Sequence, residues 1–254
     1  MYIDTHAHLY LEEFNEDIGT VVENAKHAGI QQILLPNISA SYIEPMNRLK
    51  SAYPELFKTM IGLHPGSVGE DFETELDVVY KELQSGSYIA VGEIGTDLYW
   101  DVTYKDQQLI AFERQLTWAK EFSLPVVIHA RNSMELTIDS VSRQQNGLLS
   151  GVFHCFTGTV EEAGKIIEMG FYLGIGGVST YKNSGLNEVL KQIGLEHLVL
   201  ETDSPYLPPV PYRGKRNESS YMVRVAEHLA GVKGLSLEEV AARTTENARK
   251  LFKV

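Results

Sequence analysis

The stretch "MYIDTHAHLYLEEF" (residues 1–14) decides between two architectures. Its apolar start reads as a strand, and an open, doubly wound nucleotide-binding sheet would usually follow such a strand with a Gly-rich loop. Here Thr5-His6-Ala7-His8 stands in that place. Side chains alternate faces along an extended strand, so His6 and His8 point the same way. Two imidazoles on one face can hold a metal ion, and an isolated pair can equally be incidental. The remainder of the chain has to decide.

Working outward, apolar and β-branched runs bounded by Gly, Pro or polar clusters mark eight candidate strands. They are "YIDTHAH", "QQILLPNI", "KTMIGLHP", "YIAVGEIG", "PVVIHAR", "LSGVFHCF", "FYLGIGGV" and "LVLETDSP". Helix-like segments separate them. Ser41 with Glu44, Thr159 with Glu162 and Ser236 with Glu239 have the spacing of helix-starting capping boxes. Leu109, Phe112, Leu116 and Ala119 form the stripe of a helix lying on a sheet. Short strands apolar on both faces, alternating with helices, predict a parallel sheet, and a count of eight favours the closed TIM (β/α)8 barrel. "GIGG" at 174–177 lacks nucleotide-loop spacing and reads as tight turning at a strand end. The proline-dense "SPYLPPVPYRGKR" reads as a long ordered loop after the eighth strand. No linker or repeat divides the chain, so one domain spanning 1–254 is expected.

Composition narrows the class. Hydrophobic residues at 43% and charged residues at 22% are those of a globular, water-soluble protein. No run approaches the roughly 18 apolar residues of a membrane-spanning helix, and the N-terminus lacks a signal-peptide layout. The one cysteine, Cys155, suits a cytoplasmic location and reads as a small core residue. A formal charge of −12 argues against broad electrostatic attraction to nucleic acid, leaving room only for a confined site.

The polar residues that interrupt the strands answer the opening question. His6 and His8 close the first, His64 the third, Glu93 the fourth, His129 the fifth, His154 the sixth and Asp203 the eighth. Parallel barrels gather their active-site groups at the C-terminal ends of their strands, so these residues are expected to converge. Imidazole nitrogen with carboxylate oxygen suits zinc, manganese, iron or nickel, with magnesium possible. The expected centre holds two divalent ions: His6, His8 and Asp203 on one, His129 and His154 on the other, Glu93 between. Asp203 is the candidate to orient or deprotonate water, and His64 to contact a phosphate or protonate a leaving group. Glu201 shares a strand face with Asp203, as a hydrogen-bond partner of a ligand, an added ligand or a substrate contact. Arg131, Lys182, Arg213 and Arg216 are candidates for anion binding, and Tyr99 and Trp100 for stacking on bases.

With these motifs in place, the chain resembles the TatD family of metal-dependent hydrolases, within the amidohydrolase-like barrels. "DTHAHL", "GLHP", "GEIG", "HAR", "HCFTG", "ETDSPYL", "RGKRNE" and "NARKLF" occur in the family's order. The resemblance implies a TIM barrel, a divalent-metal centre on His6, His8, Glu93, His129, His154 and Asp203, and 3′–5′ exonuclease action on single-stranded DNA. The alternative keeps the metal and changes the bond, to an amide, a lactone or an aminoacyl ester including aminoacyl-tRNA. A non-catalytic partner-binding protein is the third reading. Thr96-Asp97, Gly66 and Ser219 depart from the family's pattern beside the pocket, which puts substrate detail in question rather than hydrolysis.

Overall fold

A computed structural model describes residues 1–254. Eight parallel strands follow one another around a barrel: β1 (Tyr2–Asp4), β2 (Ile30–Leu35), β3 (Phe57–Thr59), β4 (Val91–Asp97), β5 (Val126–Arg131), β6 (Gly151–Phe153), β7 (Tyr172–Ile175) and β8 (Leu198–Leu200). Pairing runs β1-β2-β3 and β4-β5-β6-β7-β8. Single parallel bridges close the two seams, Ile61 with Val91 and Ala7 with Ser204. At the second seam Asp203 N–H donates to His6 C=O at 2.8 Å and His8 N–H to Ser204 C=O at 2.7 Å. The expected eight strands and the barrel are therefore both present.

The nine helices are α1 (Ile18–His27), α2 (Ile43–Ala52), α3 (Phe72–Gln84), α4 (Lys105–Phe122), α5 (Met134–Gln144), α6 (Val160–Glu168), α7 (Leu186–Gln192), α8 (Met222–Lys233) and α9 (Leu237–Phe252). None is long and apolar enough to cross a membrane. Ile3 of β1, Leu34 of β2, Val127 of β5, Val152 of β6 and Val199 of β8, with Met60 just after β3 and Ala90 just before β4, form one cluster with Ala248, Leu251 and Phe252 of α9. That helix packs against β1 and β8. The larger cluster lies between strands and helices.

Helix starts at Thr159 and Ser236 are full capping boxes, each side chain accepting the backbone N–H of the glutamate three residues on. Ser41 does not cap a helix: it sits in a 3-10 turn, α2 starts at Ile43, and the hydroxyl meets Ser39 instead. On α4, Phe112, Leu116 and Ala119 are buried as the stripe predicted, and Gln108 and Gln115 are buried beside them. Each glutamine makes a two-way amide clamp on a strand end. Gln115 accepts from Leu63 N–H at 2.7 Å and donates to its carbonyl at 3.2 Å; Gln108 does the same to Asp97 at 2.9 and 3.1 Å. Such buried amides satisfy backbone groups where strand pairing ends, and they fix the rim beside His64 and Asp97.

Candidate metal centre

The C-terminal rim brings all the strand-end residues together. Glu93, on β4, is buried and divides its carboxylate between two sets. Oε2 lies 3.1 Å from His6 Nε2 and 3.4 Å from His8 Nε2. Oε1 lies 2.7 Å from His154 Nε2, 2.8 Å from His129 Nδ1 and 3.5 Å from His64 Nε2. Asp203 Oδ1 completes the first set at 3.7 Å from His6 and 3.6 Å from His8. Asp203 has a backbone φ of +57°, a left-handed conformation that costs a non-glycine residue energy and here accompanies a carboxylate at the rim.

The donor set fits a cation. His6 Nε2 and His8 Nε2 face each other at 3.2 Å and share Glu93 Oε2 and Asp203 Oδ1 as neighbours. Lone pairs outnumber the protons available to pair them, which is unfavourable in a buried place unless a positive ion sits among them. Three overlapping groups have ligand atoms mutually within 4.8 Å: His6, His8 and Asp203; His6, Glu93 and His154; His64, Glu93 and His129. These His/Glu/Asp clusters are able to hold metal.

Charge follows the same geometry. Burial alone would raise the Glu93 pKa, but the His154, His6 and His64 rings and the His129 hydrogen bond hold it well below the carboxylate range. Burial lowers the His6 pKa, and His154 adds to the effect. For His154 burial works the same way, yet Glu93 and Glu201 raise it well above the usual value. Burial pushes Asp203 up to about 6, with Glu93 and Glu201 adding to the rise and His154 and His8 opposing it.

A surrounding layer orients the imidazoles. Asp97 Oδ2 lies 3.0 Å from His129 Nε2, which turns Nδ1 toward Glu93. Tyr10 OH lies 2.9 Å from His8 Nδ1. Asp4, fully enclosed, accepts the N–H of His6 at 3.3 Å and that of Thr202 at 3.0 Å, joining β1 to the segment after β8. Sequence reasoning gave none of the three a role. Period-two spacing was the available signal, since Asp97 lies four residues from Glu93 on one strand and Tyr10 two from His8.

The other candidates scatter. Glu201 is enclosed behind His154, its Oε1 3.6 Å from Nδ1 and accepting the Cys155 N–H, so it stands away from the mouth where a substrate contact was expected. A Cβ at Gly174 would meet Glu201 Oε2 at 2.2 Å, so the "GIGG" glycine makes room for that carboxylate. Arg131 stacks over Tyr99, with its Cζ 3.9 Å from the ring centre. Arg213 covers Tyr181 at 4.3 Å on the β8–α8 loop, and Lys182 is exposed on the β7–α7 loop. Arg216 is drawn aside into a two-pronged pair with Asp17 at 2.8 and 2.6 Å. His64 Nδ1 accepts the Gly66 N–H at 2.9 Å, which leaves the ring proton of the neutral form on Nε2, facing Glu93.

Comparison with known proteins agrees with this geometry. The family model "TatD related DNase" matches residues 3–253. The uncharacterized metal-dependent hydrolase YabD of Bacillus subtilis is 37% identical over 255 residues, with 100% of both chains covered. The uncharacterized metal-dependent hydrolase YcfH of Escherichia coli is 31% identical over 257 residues, covering 99% of this chain and 96% of its own. In the crystal structure of YjjV, a TatD homolog from Escherichia coli, the fold superposes with a TM-score of 0.94 at 29% identity, covering 100% of this chain and 98% of that one. The barrel, the rim cluster and these matches together mean that this chain belongs to the TatD family of metal-dependent hydrolases.

Proposed function

We propose that this single hydrolase domain, spanning 1–254, is a cytoplasmic phosphodiesterase that removes nucleotides from the 3′ end of single-stranded DNA. The observation that carries the reading is the divided carboxylate of Glu93, with one oxygen toward His6 and His8 and the other toward His129 and His154. It supports a pair of divalent ions, zinc, magnesium, manganese or iron: His6, His8 and Asp203 would hold one, His129 and His154 the other, and Glu93 both. Such ions supply Lewis acidity that makes water a nucleophile near neutral pH and offsets charge on phosphoryl oxygens.

The chain's own groups do the rest. Asp203, whose carboxylate stands beside His6 and His8 and still reaches solvent at the rim, is placed to take a proton from the attacking water. The water oxygen bonds to phosphorus as the P–O3′ bond breaks; the neutral His64 ring hydrogen-bonds the departing O3′ through Nε2–H, and O3′ takes its proton from solvent. Glu93 stays ionised throughout, because the imidazoles around it favour its charged form. Arg131, Arg213 and Lys182 supply positive charge for flanking phosphates.

The net charge of −12 favours a second reading, in which the bond cut is an amide, lactone or aminoacyl ester of a less anionic substrate. One assay separates them: single-stranded DNA, duplex DNA, RNA, aminoacyl-tRNA and a small lactone, each with several divalent ions, beside Glu93→Ala. Mononucleotides released from single-stranded 3′ ends by the wild type alone are the expected result. Release no faster than by Glu93→Ala overturns the nuclease reading, and turnover of another substrate replaces it.

A further inference from the structure

The loop after β4 exposes two large aromatic rings beside the catalytic rim. Trp100 is 78% exposed and Tyr99 50% exposed. Their rings meet edge to face at 4.7 Å. Arg131 lies over both, its Cζ 3.9 Å from the Tyr99 ring centre and 5.3 Å from that of Trp100. Asp97 binds this group to the centre: Oδ1 accepts the Tyr99 N–H at 2.9 Å while Oδ2 lies 3.0 Å from His129 Nε2. Arg131 follows His129 by two residues on β5, and its carbonyl accepts the Leu98 N–H at 2.9 Å. The rings are therefore held at the metal centre's edge.

We propose that Tyr99, Trp100 and Arg131 form a stacking platform for a nucleobase of the single strand beside the scissile linkage. Trp100 supplies the receiving face and Arg131 the charge for the adjoining phosphate. The inference rests on the reading of the site as a nuclease of single-stranded DNA. Both faces of a base inside a duplex are already stacked, so only an unpaired or terminal base offers one to an indole. Every base has such a face, so the platform prefers single strands without preferring a sequence. It also resolves the acidity of the chain. With a formal charge of −12 and one arginine in the platform, affinity comes from stacking, and salt dependence is shallow. One to three phosphate contacts, from Arg131 with Arg213 and Lys182, give a slope of log K against log salt of about −0.7 to −2.1.

The test uses the metal-loaded protein carrying Trp118→Phe, which leaves Trp100 as the one remaining tryptophan; Trp118 packs on Tyr80 at 5.2 Å, on α4. The ligand is a phosphorothioate single-stranded oligonucleotide that resists cleavage, with a second version carrying abasic residues at its 3′ end. Quenching of Trp100 emission by the first, and affinity weakened roughly tenfold by either the abasic residues or Trp100→Ala but no further by both together, is the expected result. Trp100→Phe restores much of the affinity. Cleavage of ordinary single-stranded DNA with Trp100 emission unmoved, or losses that multiply, overturns the platform and leaves the nuclease reading intact. Quenching without any cleavage of ordinary DNA keeps the platform and overturns that reading. Absence of both quenching and cleavage overturns both.

Discussion

The Tyr10 hydroxyl donates its proton to the Pro36 carbonyl at 2.5 Å and lies 2.9 Å from His8 Nδ1. A phenol has one proton, so His8 must be the donor of the second bond and carries its hydrogen on Nδ1. Nε2, the atom facing His6, Glu93 and Asp203, is left as a bare lone pair. Tyr10→Phe removes the acceptor and keeps the ring. Metal affinity of the centre is expected to fall roughly 10- to 100-fold with little change in melting temperature. Competition against a chelator of known affinity reads the change, and unaltered affinity would reduce Tyr10 to a packing residue.

Asp97 makes a matching prediction on the other side of Glu93. Its two oxygens serve His129 Nε2 and Tyr99 N–H separately, so an amide in its place can accept only one of them. Asp97→Asn is expected to lower kcat/KM by roughly 10- to 100-fold, with metal lost from the purified protein. Elemental analysis beside the kinetics checks both halves; full activity at full metal content would contradict the assignment.

Asp4 predicts a pH dependence of stability. Burial pushes its carboxyl up to about 7, against the opposing pull of hydrogen bonds from Thr202 and His6. An unfolded Asp titrates near 3.9. Between about pH 4 and 7 the folded chain keeps a proton that the unfolded chain has released. Stability therefore falls as pH rises through that window, by up to about 4 kcal/mol, and stays lower above it. Asp4→Asn keeps an oxygen for the two backbone N–H groups and does not titrate. With chelator present in both samples, urea midpoints at pH 5 and pH 8 should drop for the wild type and much less for Asp4→Asn. Equal drops would remove Asp4 from the account.

Arg216 provides the contrast between a tether and a substrate contact. Its guanidinium grips Asp17 with two nitrogens and covers the Phe14 ring at 4.4 Å, tying the proline-dense loop to the segment before α1. Arg216→Ala is expected to cost no more than about 1 kcal/mol, as for partly exposed pairs. Its kcat/KM should stay within about twofold of wild type. A large kinetic loss with unchanged melting would instead place Arg216 among the substrate contacts.

Much of the molecule was legible in the chain. Strand count, barrel closure and the rim location of His6, His8, His64, Glu93, His129, His154 and Asp203 follow from local patterning plus the rule that parallel strands end on one side. Capping at Thr159 and Ser236 was legible because a capping box is a contact within four residues. Ser41 misled for the converse reason: the residues have the spacing, but the backbone there makes a 3-10 turn first.

The amino-acid sequence by itself determined the fold class, the family and which side chains meet at the rim, because these depend on periodicity and on residue types near strand ends. Tertiary structure alone decided how those side chains divide their contacts: which Glu93 oxygen faces which imidazoles, that Glu201 stands behind His154, that Asp97 reaches His129, and that Arg216 turns away. Hydrogen-bond partners separated by tens or hundreds of residues are set by the register of the closed barrel and the packing around it, which no local pattern encodes.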